Sequence, residues 1–249
     1  MIGEYFRHVQ QGLDQILLQE IDSLRLAASK VAETIRRDGI IHLFGCGHSH
    51  MMAEELFYRA GGLACIHPVF VEPLMLHEGA TRASQLERED GLGEQIVRDL
   101  DICKRDLFIV ISTSGRNSVP IDVALSAKKK GCFVLGLTSF DYRNLESRHK
   151  SGLHLADAVD LAIHNHVPRG DAALTHKDVI TPFSPVSSIY NIAILHSIFA
   201  QAIVELAEER ENPPIFVSGN VDGADQHNRQ LVNMYQERIP LLNVEKKTV

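Results

Sequence analysis

Two short stretches of this chain combine hydroxyl groups, glycines and a helix start in a way that suits an anion. In residues 108–118, FIVISTSGRNS, four apolar residues from Phe108 to Ile111 read as a buried strand too short to be a helix. The strand runs into Ser112, Thr113, Ser114 and Gly115, and then into a helical pattern opened by Ser118 and Pro120. A strand, a hydroxyl-rich turn and a helix N-terminus aim amides and hydroxyls at one point. The helix dipole adds positive potential there, so a phosphate is favoured. The same residues also suit plain helix capping.

The second stretch repeats the pattern. Residues 40–44, IIHLF, read as a buried strand, followed by Gly45-Cys46-Gly47-His48-Ser49 and a helical run over 51–61. The glycines let backbone approach a ligand, and Ser49 sits where an N-cap hydroxyl would. In a parallel sheet both turns lie at the carboxyl edge, where ligands bind. Cys46 is read as a small filler rather than a thiol of lowered pKa.

These turns need elements to hold them. Residues 3–37 lack proline, and Leu17, Ile21, Leu24, Ala28, Val31 and Ile35 recur at steps of four and three. That stripe suits a long helix lying along its own domain or along a dimer seam. Further strands are expected at 63–71, 133–138 and 161–165, with helices at 86–100 (broken or bent near Gly91 and Gly93), 118–130 and 141–150. Residues 72–84 read as a loop, and 166–185, HVPRGDAALTHKDVITPFSP, as a second long loop. Ser184 and Pro185 would cap a long helix reaching about residue 209, with an apolar stripe through Ile189, Ile192, Ala193, Phe199 and Ile203 that also carries His196. Pro213 and Pro214 make a linker before a final helix. Alternating strands and helices imply a parallel sheet covered on both faces. The expected class is α/β: a three-layer αβα sandwich on a five-stranded parallel sheet, flavodoxin-like, with a long N-terminal helix. The chain divides into residues 1–38 (helix), 39–210 (main domain) and 211–249 (C-terminal extension).

Composition sets limits. The 249 residues are 45% hydrophobic and carry a net charge of −7. An acidic balance with no basic patch argues against nucleic acid, though not against a small anionic ligand. Four scattered cysteines without a CxxC pair fit a reducing compartment rather than a disulfide frame or a zinc ribbon. Neither a leader nor a bilayer-length apolar run is evident in the sequence pattern, so a soluble cytoplasmic protein without membrane partners is expected.

The ordered set GCGHS (45–49), AEEL (53–56), LHEG (76–79), STSGRN (112–117) and NHVPRGDAAL (165–174) resembles the sugar isomerase, or SIS, domain. The likeness covers most of 40–209 and the preceding helix. In detail it is similar to uncharacterised bacterial SIS proteins that carry a phosphoheptose isomerase label. The resemblance implies that both turns hold the phosphate of a sugar phosphate, through Ser49, Ser112, Thr113, Ser114 and Asn117. It also implies Glu55 as the base of an aldose–ketose isomerisation and His77 as the group that opens the ring. Glu54 is adjacent but points about 100° away around a helix. Phosphoheptose isomerases use a zinc-binding histidine one turn before that glutamate. Met51 stands at that place, and Ser188 stands where a glutamine partner is expected, while His196 resembles their helix histidine. A thioether is a poor zinc ligand, so no metal and no cofactor is implied. The resemblance further implies a homodimer or tetramer with a shared site. Two other readings use the same cradle: a non-catalytic sugar-phosphate sensor acting through a protein partner, and a phosphosugar lyase or etherase.

Overall fold

The computed structural model describes residues 1–243. A five-stranded sheet in the order β2-β1-β3-β4-β5 forms the middle layer: β1 (Ile41–Gly45), β2 (Ile66–Pro68), β3 (Leu107–Ile111), β4 (Phe133–Thr138) and β5 (Leu161–His164). Every neighbouring pair is parallel. β1 and β3 consist wholly of buried residues, which is why they read as continuous apolar runs rather than alternating ones.

Helices cover both faces. On one face lie α1 (Ile2–Arg36), α2 (Met51–Leu56) and α7 (Ser187–Glu208); on the other lie α4 (Leu92–Arg98), α5 (Ser118–Lys129) and α6 (Leu155–Ala158), with α3 (Ala80–Leu86) leading into α4. The period-two pleat sorts the strand residues between them. Leu107, Ile109 and Ile111 pack with Ala28, Val31 and Ile194, whereas Phe108 and Val110 pack with Val119, Val123 and Leu155. Because the connection leaving β1 carries α2 on one face and the connection entering β3 carries α4 on the other, the gap between β1 and β3 is the topological switch point.

At 35 residues α1 is about 52 Å long, far longer than the strands it crosses. Leu24, Ala28 and Val31 of its stripe are buried, while Leu17 stays exposed. It runs parallel to α7. Tyr5 Oη donates to Pro185 O (2.7 Å) near their starts, and Arg36 meets Glu209 (2.7 Å) near their ends. By length and composition α7 could cross a membrane, contrary to the sequence expectation, but its inner face is core: Tyr190, Ile194, Leu195, Ile198 and Ala202 are buried. Of the expected stripe, Phe199 is buried, Ile192, Ala193 and Ile203 lie half-buried at the edge of that inner face, and Ile189 is exposed. A helix apolar almost all round has no periodicity that selects its inner face.

Several local expectations are corrected. The helix after the first turn stops at Leu56, not at 61. The strand expected over 63–71 shrinks to Ile66–Pro68. Residues expected to be a loop before 84 form α3, and residues 141–150 hold only a single 3-10 turn at Phe140–Tyr142. Residues 166–185 contain a hairpin of β6 (Leu174–His176) and β7 (Val179–Phe183), which pair antiparallel with each other alone. Pro182 and the near absence of buried residues hid it from pattern reading. Helix α7 is capped from that loop rather than by Ser184: Asp171 Oδ1 accepts from the Val186 and Ser187 amides (3.0 Å each), and Oδ2 accepts from Ser187 Oγ (2.6 Å). Beyond residue 211, α8 (Ala224–Tyr235) packs Leu231 against Phe216 and Ala64.

Candidate functional site

The two hydroxylated turns leave adjacent strands at matched register, Gly45 opposite Ile111, so they start about 4.8 Å apart. In the first, Gly47–His50 form a 3-10 turn that folds back on the strand end. A Cβ on Gly45 would stand 2.6 Å from the Ser49 carbonyl carbon, so only glycine lets Ser49 come this close. Burial pushes the Cys46 thiol well above its ordinary value, which fits a filler and not a nucleophile.

In the second turn Ser112 is buried and its Oγ accepts from the Gly115 amide (3.3 Å). Gly115 has φ +59°, and a Cβ there would stand 2.5 Å from Thr138 Oγ1. Thr138 Oγ1 and the Ser139 amide both donate to Thr113 O (3.4 and 2.8 Å), fixing the loop against β4. Among the described residues no protein acceptor pairs with the amides of Thr113, Ser114, Arg116 or Asn117. The first turn of α5 is poorer in free donors than its sequence suggests. The Val119 amide already donates to Glu87 O (3.1 Å), and Pro120 has no N–H. An anion here would therefore be held by loop amides and hydroxyls, with the helix supplying its dipole.

Asn117 is buried, and its Oδ1 accepts from Arg148 Nη1 (2.8 Å). Burial pushes the nearby Glu87 carboxyl up, while the Asn117 amide and the charges of Arg88 and Arg148 pull it down. Glu87 and Arg148 escaped sequence reasoning. Both are distant in the chain from the turn they join, and neither belongs to a recognisable motif.

α2 follows directly from the first turn. Glu55 is partly buried, with Oε1 2.6 Å from Arg59 Nη1 and 3.5 Å from His196 Nε2 on α7. Glu54 points to solvent. The fold thus brings Glu55 to His196, whose place on the apolar stripe of α7 was visible in the sequence but whose partner was not. His77 lies in a 3-10 turn at Leu76–Glu78, largely exposed, with Glu78 Oε1 3.9 Å from its ring. Leu76 reaches to 3.8 Å from where a Gly47 Cβ would stand, which sets this turn beside the first loop. Zinc does not fit. Glu55 and His196 offer one oxygen and one nitrogen, Met51 and Ser188 add a thioether and a hydroxyl, and no group of three metal-binding residues gathers among the described residues.

A doubly wound parallel sheet with two hydroxyl-rich turns at its switch point defines the class of α/β domain that takes its ligand at the carboxyl edge of the strands. Residues 4–139, just over half the chain, match the SIS domain model, and the chain belongs to the SIS domain family. It is 54% identical over 243 residues to a UPF0309 protein of Geobacillus kaustophilus, covering 97% of each chain. It is 50% identical over 245 residues to a UPF0309 protein of Listeria monocytogenes, covering 98% of this chain and 99% of the relative. Among solved structures it is similar in fold to the phosphoheptose isomerase of Neisseria gonorrhoeae (TM-score 0.53, 16% identity, 82% of this chain and 97% of that one). The phosphoheptose isomerase of Francisella tularensis is similar to the same degree (TM-score 0.51, 16% identity, 81% and 95%).

Proposed function

We propose that this protein binds a phosphorylated sugar across the two turns and interconverts its aldose and ketose forms. The observation that carries the reading is the pair of hydroxylated turns on adjacent strands, with unpaired loop amides at Thr113, Ser114, Arg116 and Asn117. Ser49, Ser112, Thr113 and Ser114 would add hydroxyl donors to the phosphate oxygens, and Asn117 its backbone N–H. Isomerisation moves a proton between adjacent carbons through an enediol. Glu55 is the proposed base, and His196, 3.5 Å away, would exchange a proton with its carboxylate or orient it. His77, on the turn beside the first loop, is the proposed group for the ring oxygen. SIS-domain membership and the likeness in fold to phosphoheptose isomerases support this class of ligand. We further propose that the protein works as a homodimer or tetramer, with α1 and α7 near the seam.

Binding and turnover are read separately. Sugar phosphates should bind and their unphosphorylated forms should not. Ser114→Ala should weaken binding about tenfold or more, because each charge-assisted hydrogen bond is worth roughly 1.5–3 kcal/mol. A bound substrate should exchange its C2 proton with deuterated water. Glu55→Gln should abolish that exchange while leaving affinity within a few-fold, and Glu54→Gln should change neither. Equal affinity for a sugar and its phosphate refutes the cradle. Binding without exchange refutes the isomerase and favours a sensor, whereas loss of a C3 substituent from the bound sugar would mark a lyase or etherase.

A further inference from the structure

Three guanidiniums gather at the amino end of α5, beside the second turn. Arg148 Nη1 donates to Asn117 Oδ1 (2.8 Å), the Arg148 amide donates to Arg116 O (2.9 Å), and Ser118 Oγ donates to Arg148 O (3.2 Å). Arg116 Nε donates to Glu146 O (2.7 Å), which leaves its two terminal nitrogens without a protein acceptor among the described residues. Arg88 follows Glu87, whose carbonyl takes the Val119 amide, so Arg88 stands at the same end of the helix.

None of these three guanidiniums has a carboxylate within 4.0 Å among the described residues, whereas Arg36, Arg59, Arg143 and Arg238 each reach one. Besides its burial, the charges of Arg88 and Arg116 depress the proton affinity of Arg148, as like charges at short range do. Glu87 opposes this, but burial drives that carboxyl toward its neutral form. The positive end of the α5 dipole points to the same place. A chain of net charge −7 has thus collected three cations at one pole with few internal partners. Such an arrangement is costly until an external anion answers it.

The second turn already has free amides and hydroxyls enough for one phosphate. The guanidiniums come in addition, on its rim, with Arg88 and Arg148 exposed to solvent. Their planar forks suit a carboxylate or a phosphate bound side-on. We propose that the sugar phosphate bound by this protein carries a second anionic group, a carboxylate or another phosphate, which Arg88, Arg116 and Arg148 hold beside the first. The inference rests on the cradle reading and narrows its substrate class to doubly anionic sugars.

Calorimetric titration separates the two claims, using glucose 6-phosphate, 6-phosphogluconate, fructose 1,6-bisphosphate and unphosphorylated gluconate at one fixed ionic strength. Either the phosphorylated sugar acid or the bisphosphate should bind at least about tenfold tighter than the monophosphate, the scale of one charge-assisted hydrogen bond or two. Which of the two wins identifies the second group. Arg88→Gln, a change at an exposed side chain with no hydrogen bond to lose, should remove most of that advantage. It should alter glucose 6-phosphate affinity less than about threefold, and Arg88→Lys should restore part of the difference. Equal affinity for all three phosphorylated probes overturns the inference and leaves the cradle standing. An equal loss for every probe in Arg88→Gln also overturns it, because the guanidiniums would then serve the first phosphate. Failure of every phosphorylated probe to bind better than gluconate overturns the cradle itself, and this inference with it.

Discussion

The residues that matter most here are set by which neighbour the fold gives them. Glu54 and Glu55 are adjacent carboxylates of the same type, yet Glu54 reaches only His50 one turn back, at 4.0 Å, whereas Glu55 meets a histidine from a distant helix. Away from the site, His42 and His67 bring their Nδ1 atoms to 2.8 Å, so one ring donates and the other accepts, and both are neutral. His42 Nε2 stands 3.5 Å from Asp106 Oδ2 without a well-aligned hydrogen bond. Burial holds the His42 ring below its ordinary value, and burial together with the repulsion the two rings would feel if both were protonated takes His67 down to about 3. An unfolded chain binds protons on these rings below about pH 6.5, where the folded protein refuses them. Stability should therefore fall as pH drops from about 6.5 toward 4, with a slope of up to about 1.4 kcal/mol per pH unit for each ring. Urea unfolding at pH 7, 6 and 5 measures this, and His67→Gln should flatten the profile. A flat wild-type profile would contradict the buried neutral pair.

At the scale of elements, the segment after α8 buries Ile239 in the core beneath the sheet and is tied to the strand ends by the charge of Arg238. Arg238 donates from Nη1 to Asp106 Oδ1 (2.9 Å) and from Nη2 to Asp106 Oδ2 (2.8 Å). The Ile40 and Cys103 amides complete the carboxylate (2.9 and 2.8 Å). Although burial pushes the Asp106 carboxyl upward, the hydrogen bonds from Arg238 and from the Ile40 and Cys103 amides hold it far below its ordinary value. The same two ends of chain, the strand start at Ile40 and the segment before β3, are thus clamped to residues after α8. Arg238→Ala would leave a buried carboxylate without its cation and should cost about 3–5 kcal/mol, with partial recovery in Arg238→Lys. Denaturant unfolding tests it, and a loss below about 1 kcal/mol would mean that solvent reaches Asp106 and screens it.

At the scale of the molecule, apolar side chains remain without cover on the α1–α7 face. Ile2, Phe6, Leu17 and Leu18 on α1, and Ile189 and Val204 on α7, are exposed, from 39% at Ile189 to 82% at Ile2. Scattered single residues would need no explanation, but these lie on two helices packed side by side. His196 is part-exposed and follows Ile189 by seven residues, about two helical turns, so a second copy seated over Ile189 would also shelter the Glu55–His196 pair. Light scattering at micromolar concentration should show a dimer or tetramer, and Leu18→Glu should shift it toward monomer. A monomeric wild type would remove the seam and leave the pair open to water.

Sequence alone determined the class of fold and the two turns, because both signals are local. A buried strand is a short apolar run, and a strand-to-helix turn that folds back on its strand needs glycine and short hydroxyl residues within five or six positions, as 45–49 and 112–117 have. The long first helix was legible for the same reason, since its periodicity runs over many turns. Edges were not legible where tertiary contacts decide them. Gly79 hides the start of α3, whereas the break at Gly91 before α4 was legible, and the 174–183 hairpin has hardly any buried pattern to read. The inner face of α7 could not be chosen from a sequence apolar on nearly every side. Neither could the partners that gather at the site. His196 lies 141 positions from Glu55, and Arg148 lies 31 from Asn117. What brings each pair together is the packing of α7 against α2 and of the 140–150 segment against the second turn. Such a meeting depends on the path of the whole chain through the sheet, and no local propensity encodes it.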